Sequence, residues 1–416
     1  MKKNKRIKLL IIGGYGYDNL GDEAILSTLL FNLKQNGISD ITALSKNPVD
    51  TKYLHKIKSL PSIDKLSCTR LSTSRPIKYP LIILKTLISI VYGKFNHRRR
   101  NSEVDLIIDE IRNSDWIISC GGGFFNDNWD TFYPILWEHF LCAFLNGNLI
   151  ITNQSLGSFN KRILRPIVKY VLRKAKYISV RGISSVNYLK KIGYDSKNVR
   201  ITVDQAMGFD AVCEGAGVIR QKSNECIEVG LTLQTHRAYI DNIGIHHLGN
   251  ESEYFHAIIS ALQKFSVRKN VKFYVMPSTG FKRDLALAKE FCVKLNEAQL
   301  DAVVKRFIDP LSFYSFLSSL DLYASSNFHP IVFSVLAGVS CIPVTYSTKI
   351  DDFIEQVGLS NDLIRIDKLN QDKFLSELHS AYNTDEKMQD TVIRKIGFMK
   401  KKLDDNFNKI LEMIKR

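Results

Sequence analysis

The chain opens on an apolar run, Lys8–Gly13, that ends in a glycine turn and gives way to a helical pattern from about Asp22 through Leu33. Short continuous apolar runs alternating with helical periodicity predict strands buried on both faces of a parallel sheet. The alternation recurs, predicting strands over Asp40–Leu44, Asp115–Cys120, Asn148–Asn153, Tyr177–Val180 and Ile201–Asp204, with a helix near Ser184–Ile192. Beyond Met207 the pattern turns irregular through Asp210–Asn224, which reads as a linker. A second series follows, with strands at Glu228–Leu233, Lys272–Met276, Leu320–Ala324 and Cys341–Thr345. Helices are predicted at Glu253–Arg268, Lys282–Leu295 and Pro330–Leu336, and Gln371–Arg416 is helical, in position to cross back over the first domain. The expected fold class is α/β, with two Rossmann-like domains (1–210 and 225–375) facing a cleft and a helical tail, 376–416.

A length of 416 residues suits two or three domains, and 45% apolar with 24% charged residues is ordinary for a globular chain. The longest apolar stretch, Leu81–Tyr92, contains Lys85 and falls short of the ~20 residues a bilayer span needs. The start resembles a signal peptide only through Leu9–Ile12 and lacks a small-residue cleavage site, so it reads as a strand. Seven scattered cysteines without a CxxC pair suggest a reducing, cytoplasmic setting and no zinc site.

Charge changes the picture more. The net charge is +16, and residues 1–200 hold 32 Lys+Arg against 15 Asp+Glu, so the surplus lies wholly in the first half. Segment 78–100 joins an apolar helix candidate to His97, Arg98, Arg99 and Arg100. It reads equally as a helix lying on an anionic membrane surface and as a core helix with a solvated basic cap. No recognised nucleic-acid motif accompanies the charge, so no nucleic acid is expected as a partner.

Three constellations sit where predicted strands end. In Gly13–Glu23, a glycine turn enters a helix, and Asn19, Gly21 and Asp22 are candidates either for capping or for binding a hydroxyl-rich ligand. In Cys120–Asp127, three successive glycines remove every Cβ where a ligand or a backbone must come close, marking Gly122, Gly123 and Asn126 as a binding floor. In Ser325–Pro330, His329 stands between a strand and a helix beside Asn327, and an imidazole titrating near ~6.5 suits proton transfer at neutral pH. Arg181 with Ser185, Asp204, Arg237, Lys282, Arg283 and Lys349 are weaker candidates for an anion or a turn.

Taken in order, these pieces resemble the polysaccharide pyruvyl transferase family: GGYGYDNLGDEAIL, GGGFFNDN, NQSLG, VRGISSVNYLKKIG with Asp204, and DLYASSNFHPIVFSVLAGVSCIPVTY. The likeness runs from about Lys8 to Gly358. It implies a fold like the GT-B glycosyltransferases, phosphoenolpyruvate as donor with no cofactor or metal, and a sugar acceptor, often lipid-linked, in capsule, O-antigen or exopolysaccharide assembly. Residues 1–210 would be the acceptor side and 225–375 the donor side. His329 would act as acid/base, with Asp22 and Asn19 facing the acceptor. The chain departs from the family pattern at Asn327 and Gln234, where arginines are usual, and at Gly182, where aspartate is usual. Those departures keep two alternatives open: a glycosyltransferase using a nucleotide-activated sugar, and a non-catalytic paralogue.

Overall fold

A computed structural model describes residues 6–66, 75–95, 102–128, 131–217, 226–233, 251–359, 364–383 and 386–416. Its contacts divide the chain into two compact units, one of residues 1–17, 25–205 and 402–416, the other of residues 18–24 and 206–401.

The first unit is built on β1 (Lys8–Ile12), β2 (Asp40–Ser45), β3 (Lys58–Pro61), β4 (Trp116–Cys120), β5 (Leu149–Gln154), β6 (Tyr177–Val180) and β7 (Val199–Ile201). All pairings are parallel, in the order β3-β2-β1-β4-β5-β6-β7. The central strands are apolar throughout because helices cover both faces: Leu9–Ile12, Ile117, Ile118 and Leu149–Ile151 are fully buried. The predicted strand at Ile201–Asp204 lies earlier, at Val199–Ile201. Thr202 makes the last ladder bond, from its N–H to the Val180 carbonyl (2.7 Å), and the apolar Val203 is buried outside the sheet.

The second unit carries β8 (Ile227–Thr232), β9 (Val271–Val275), β10 (Asp301–Val304), β11 (Leu322–Ser325), β12 (Ser340–Thr345) and β13 (Ile364–Arg365), again all parallel, ordered β10-β9-β8-β11-β12-β13. Both sheets therefore have the doubly wound order of a Rossmann-like fold. The expected irregular linker is corrected in its first part, where Phe209–Gly215 forms a helix. Phe209 drives it, buried with its ring centroid 5.9 Å from Tyr314 and 5.4 Å from Phe333. The remainder of that segment, 218–225, lies outside the described residues.

The tail forms two helices, Gln371–Tyr382 and Glu386–Lys415, and the end of the second returns to the first unit. Asn406 is buried there, donating from Nδ2 to Thr152 Oγ1 and Asn153 Oδ1 (both 3.0 Å) and accepting from the Tyr177 hydroxyl (2.7 Å). Leaving such a buried amide unpaired would cost about 1–3 kcal/mol, so this bonding helps set the register of the returning helix.

Candidate functional site

In a doubly wound sheet, ligands bind beyond the carboxyl ends of the strands where the strand order reverses. That point lies between β1 and β4 in the first unit and between β8 and β11 in the second. Each of the three sequence constellations follows one of these four strands.

In the first unit, β4 runs into the triple-glycine turn. Gly121 and Gly122 both have positive φ (66° and 76°), which only glycine adopts readily, and a Cβ on Gly121 would overlap Ile25 of helix Leu20–Gln35. Gly121 therefore serves packing. A Cβ on Gly123 would lie 3.4 Å from an Arg181 guanidinium nitrogen, so this glycine borders the cation. Asn126 folds back to donate to the Gly123 carbonyl and packs on Gly157, where any side chain would collide with it.

Arg181, at the end of β6, is buried. Its guanidinium pairs with the buried carboxylate of Asp204 and donates from Nε to Ser155 Oγ (2.5 Å). Ser185 accepts from the Leu156 N–H (3.0 Å) and thus braces the Gln154–Gly157 loop. Beneath the glycine turn lies a fully buried pair, Ser119 Oγ and His139 Nε2, 2.7 Å apart. Burial lowers the His139 pKa to about 4, and its Nδ1 faces the Ile135 carbonyl at 2.8 Å. The ring is thus neutral, and the pair is internal support for the turn.

In the second unit, β11 ends at Ser325, whose hydroxyl accepts from the Asn327 N–H (2.9 Å). Asn327 is the N-cap of helix Phe328–Leu336, and His329 sits in its first turn, half-buried. The side chain of Asn327 donates to Ser278 Oγ (2.5 Å), tying this turn to the Pro277–Gly280 loop that follows β9.

The same loop receives residues 18–24. Leu20 N–H donates to the Ser278 carbonyl (3.1 Å), Gly280 N–H donates to the Asp18 carbonyl (2.8 Å), and Asn19 bridges Thr279 in antiparallel fashion. Asn19 caps helix Leu20–Gln35, its carbonyl accepting from Glu23 N–H (3.1 Å) and its Oδ1 from Gly21 N–H (3.0 Å). The capping role weighed for Asp22 thus falls to Asn19. Asp22 is half-buried in the first helical turn. Gly21 carries the decisive geometry, because a Cβ there would overlap the imidazole of His329. Only glycine lets the ring and the helix backbone meet so closely.

Cations lie near this cluster. Arg306 pairs with Asp18 (3.4 Å), both about half exposed. Lys349 holds its Nζ 5.7 Å from the ring centroid of Phe328, the residue before His329. Lys282 and Arg283 open helix Lys282–Glu297 on exposed positions.

The predicted residues thus fall into two groups: Gly122, Gly123, Asn126 and Arg181 in the first unit, and Asn19, Gly21, Asp22, Asn327 and His329 in the second. Gln234 and Arg237 lie outside the described residues. Sequence reasoning missed Ser278, Thr279, Gly280 and Arg306. The Pro-Ser-Thr-Gly turn directly after an apolar strand was the available signal for the first three; Arg306 had none.

The family model for polysaccharide pyruvyl transferase matches residues 19–348, most of the chain. The chain belongs to this family. The match begins at Asn19, the helix cap beside Gly21, and includes His329. Among solved structures, this family member resembles the UDP-GlcNAc 2-epimerase of Neisseria meningitidis bound to UDP-GlcNAc, at 11% identity and TM-score 0.61, covering 98% of this chain and 100% of that one. It also resembles Anabaena Alr3699/HepE in complex with UDP and glucose, at 11% identity and TM-score 0.58, covering 98% and 99%. A third is Acinetobacter baumannii MurG, at 11% identity and TM-score 0.50, covering 96% and 99%. These likenesses establish the GT-B-like fold, with two Rossmann-like domains.

Proposed function

We propose that this transferase-family protein moves a pyruvyl group from phosphoenolpyruvate to a sugar of a bacterial surface polysaccharide or its lipid-linked repeat unit, forming a ketal. The observation that carries the reading is the seating of His329 on Gly21, within the matched residues and at the second unit's switch point. His329 delivers a proton to the donor's methylene carbon. The adjacent carbon then takes on oxocarbenium character and is attacked by a sugar hydroxyl. Phosphate leaves, and a second hydroxyl closes the ketal. Of the two hydroxyl protons, one ends on the new methyl group and the other on the phosphate. The anionic donor needs cations, because a multiply charged anion is not buried unpaired. Among the described residues, Lys349 beside Phe328, Arg306, which pairs with Asp18, and the N-terminus of helix Phe328–Leu336 are candidates for that role.

The test is incubation with phosphoenolpyruvate and candidate lipid-linked or free glycans, read by phosphate release and by the ketal mass increment. His329→Ala is expected to abolish both while leaving the melting temperature near that of the parent. No donor consumption across a range of acceptors would count against the proposal.

Asn327 favours a second reading, since a neutral amide stands where the family pattern has a guanidinium. Neutral groups suit a nucleotide-activated sugar better than a small trianion. Thermal shift separates the two: stabilisation by UDP and not by phosphoenolpyruvate would reverse the ranking.

A further inference from the structure

Helix Arg75–Phe95 is apolar on the side that faces solvent. Ile82, Thr86 and Ile90 are buried at a spacing of four, whereas Ile83, Leu84, Leu87, Ile88 and Val91 are exposed. A soluble surface rarely leaves so many large aliphatic side chains on successive turns of one helix without a partner. A cavity of about 500 Å³ adjoins this stripe, lined by Tyr79 and Ile83 of the helix and by Tyr133, Trp137, Leu164 and Ile167. Trp137 is held in place by its Nε1–H bond to Thr86 Oγ1 (2.9 Å), and Tyr79 stacks on Tyr133 at 6.2 Å. Ile163 projects beside the cavity, 84% exposed, between Arg162 and Leu164.

Cations border the cavity side of this face, whereas carboxylates lie toward helix Glu103–Asn113, where Asp105 accepts from Ser89 Oγ (2.5 Å). Lys161 rests on the Tyr133 ring (4.6 Å), and Arg162 and Arg165 follow it. No Asp or Glu occurs between Asp64 and Glu103, or between Glu138 and Asp195, and these two segments supply the helix, the Ile163 turn and the part of the cavity wall formed by Leu164 and Ile167. Among the described residues, no helix is long and apolar enough to cross a membrane. An exposed aliphatic stripe, Trp and Tyr at its border and cations around it are the components of a surface that lies in a bilayer interface.

We propose that this face of the first unit docks on the surface of an anionic lipid bilayer, the aliphatic stripe and Ile163 entering the acyl boundary while Lys161, Arg162 and Arg165 meet lipid phosphates. The occupant is the membrane and not a second copy of the chain, because the cluster of Lys161, Arg162 and Arg165 beside the cavity attracts anionic headgroups and would repel its own duplicate. The proposal is independent of the reaction catalysed.

Flotation of the full chain with vesicles tests it. Vesicles of phosphatidylcholine with about 30% phosphatidylglycerol should carry the protein at low salt, pure phosphatidylcholine should bind it at least roughly tenfold more weakly, and high salt should weaken the first. The triple substitution L84Q/L87Q/V91Q should reduce binding by roughly tenfold or more, with oligomeric state and melting temperature unchanged because all three side chains are exposed. Ile163→Gln, in a different element, should lower binding in the same direction. No flotation at low salt, undiminished flotation of both variants, or a solution dimer that the triple substitution dissolves without any lipid binding would each overturn the proposal.

Discussion

Replacing Gly21 with alanine puts a methyl group where the His329 ring already stands. The new Cβ would overlap Nδ1 and Cγ of the imidazole and lie 2.6 Å from the His329 Cβ. Rotating the ring cannot relieve all three overlaps, since the last atom is fixed to the backbone of helix Phe328–Leu336. Alanine gains ~1 kcal/mol of helix propensity over glycine at an unconstrained site. Overpacking of this kind costs about 1–3 kcal/mol, so the net loss is as much as ~2 kcal/mol. For a unit of this size that corresponds to a fall in melting temperature of roughly 2–4 °C per kcal/mol. A displacement of the imidazole by about 1 Å should lower turnover by a factor of ~100. The decisive assay is a double-mutant cycle on urea unfolding. His329→Gly removes the overlapped atoms at its own propensity cost, which appears in both arms and cancels. Gly21→Ala should therefore destabilise the parent and stabilise, or leave unchanged, the His329→Gly background, giving a coupling of about 1–3 kcal/mol. Additive single effects would refute the contact and with it the positioning of the ring.

Glu138 offers a pH test: burial raises its pKa to about 7, partly offset by Lys46 and by the Ile63 N–H bond (3.0 Å). A carboxyl with a raised folded-state pKa favours folding below its unfolded value and loses that contribution as pH rises through about 7, so Glu138→Gln should stabilise the chain by about 1–3 kcal/mol at pH 8 and progressively less toward pH 5 in urea titrations. Arg181→Ala leaves the buried Asp204 carboxylate without its guanidinium and should cost about 3–5 kcal/mol of unfolding free energy; a stability within error of the parent would instead mark Arg181 as a purely ligand-directed cation. Gly280→Ala would place a methyl group against the Asp18 carboxylate, which is about half exposed and can swing aside at the expense of its Arg306 pair, so the loss read by differential scanning fluorimetry should stay within about 1 kcal/mol.

Much of the fold was legible because its signals are local. Buried parallel strands such as Trp116–Cys120 and Tyr177–Val180 are unbroken apolar runs, and glycine turns mark their ends, so both sheets and their order of construction follow from the pattern. β3, β10 and β13 went unread because they are short edge strands, with one neighbour each and little demand for apolar residues. The linker misreading at Phe209–Gly215 has the same root: a seven-residue helix anchored by one aromatic and one cysteine shows almost no periodicity.

The chemistry divides along the same line. His329, Asn19 and the glycine turns were visible as residue types at strand ends, since a strand terminus with a helix start is a local signature. That residues 18–24 bond to the Ser278–Gly280 loop, and that Gly21 is the floor under His329, could not be read from their neighbours in the chain. Period, turn chemistry and charge are written residue by residue, whereas the meeting of Gly21 with a histidine some three hundred positions away depends on the packing of the whole second unit. Sequence determined which groups were available for chemistry; tertiary structure alone decided which of them touch.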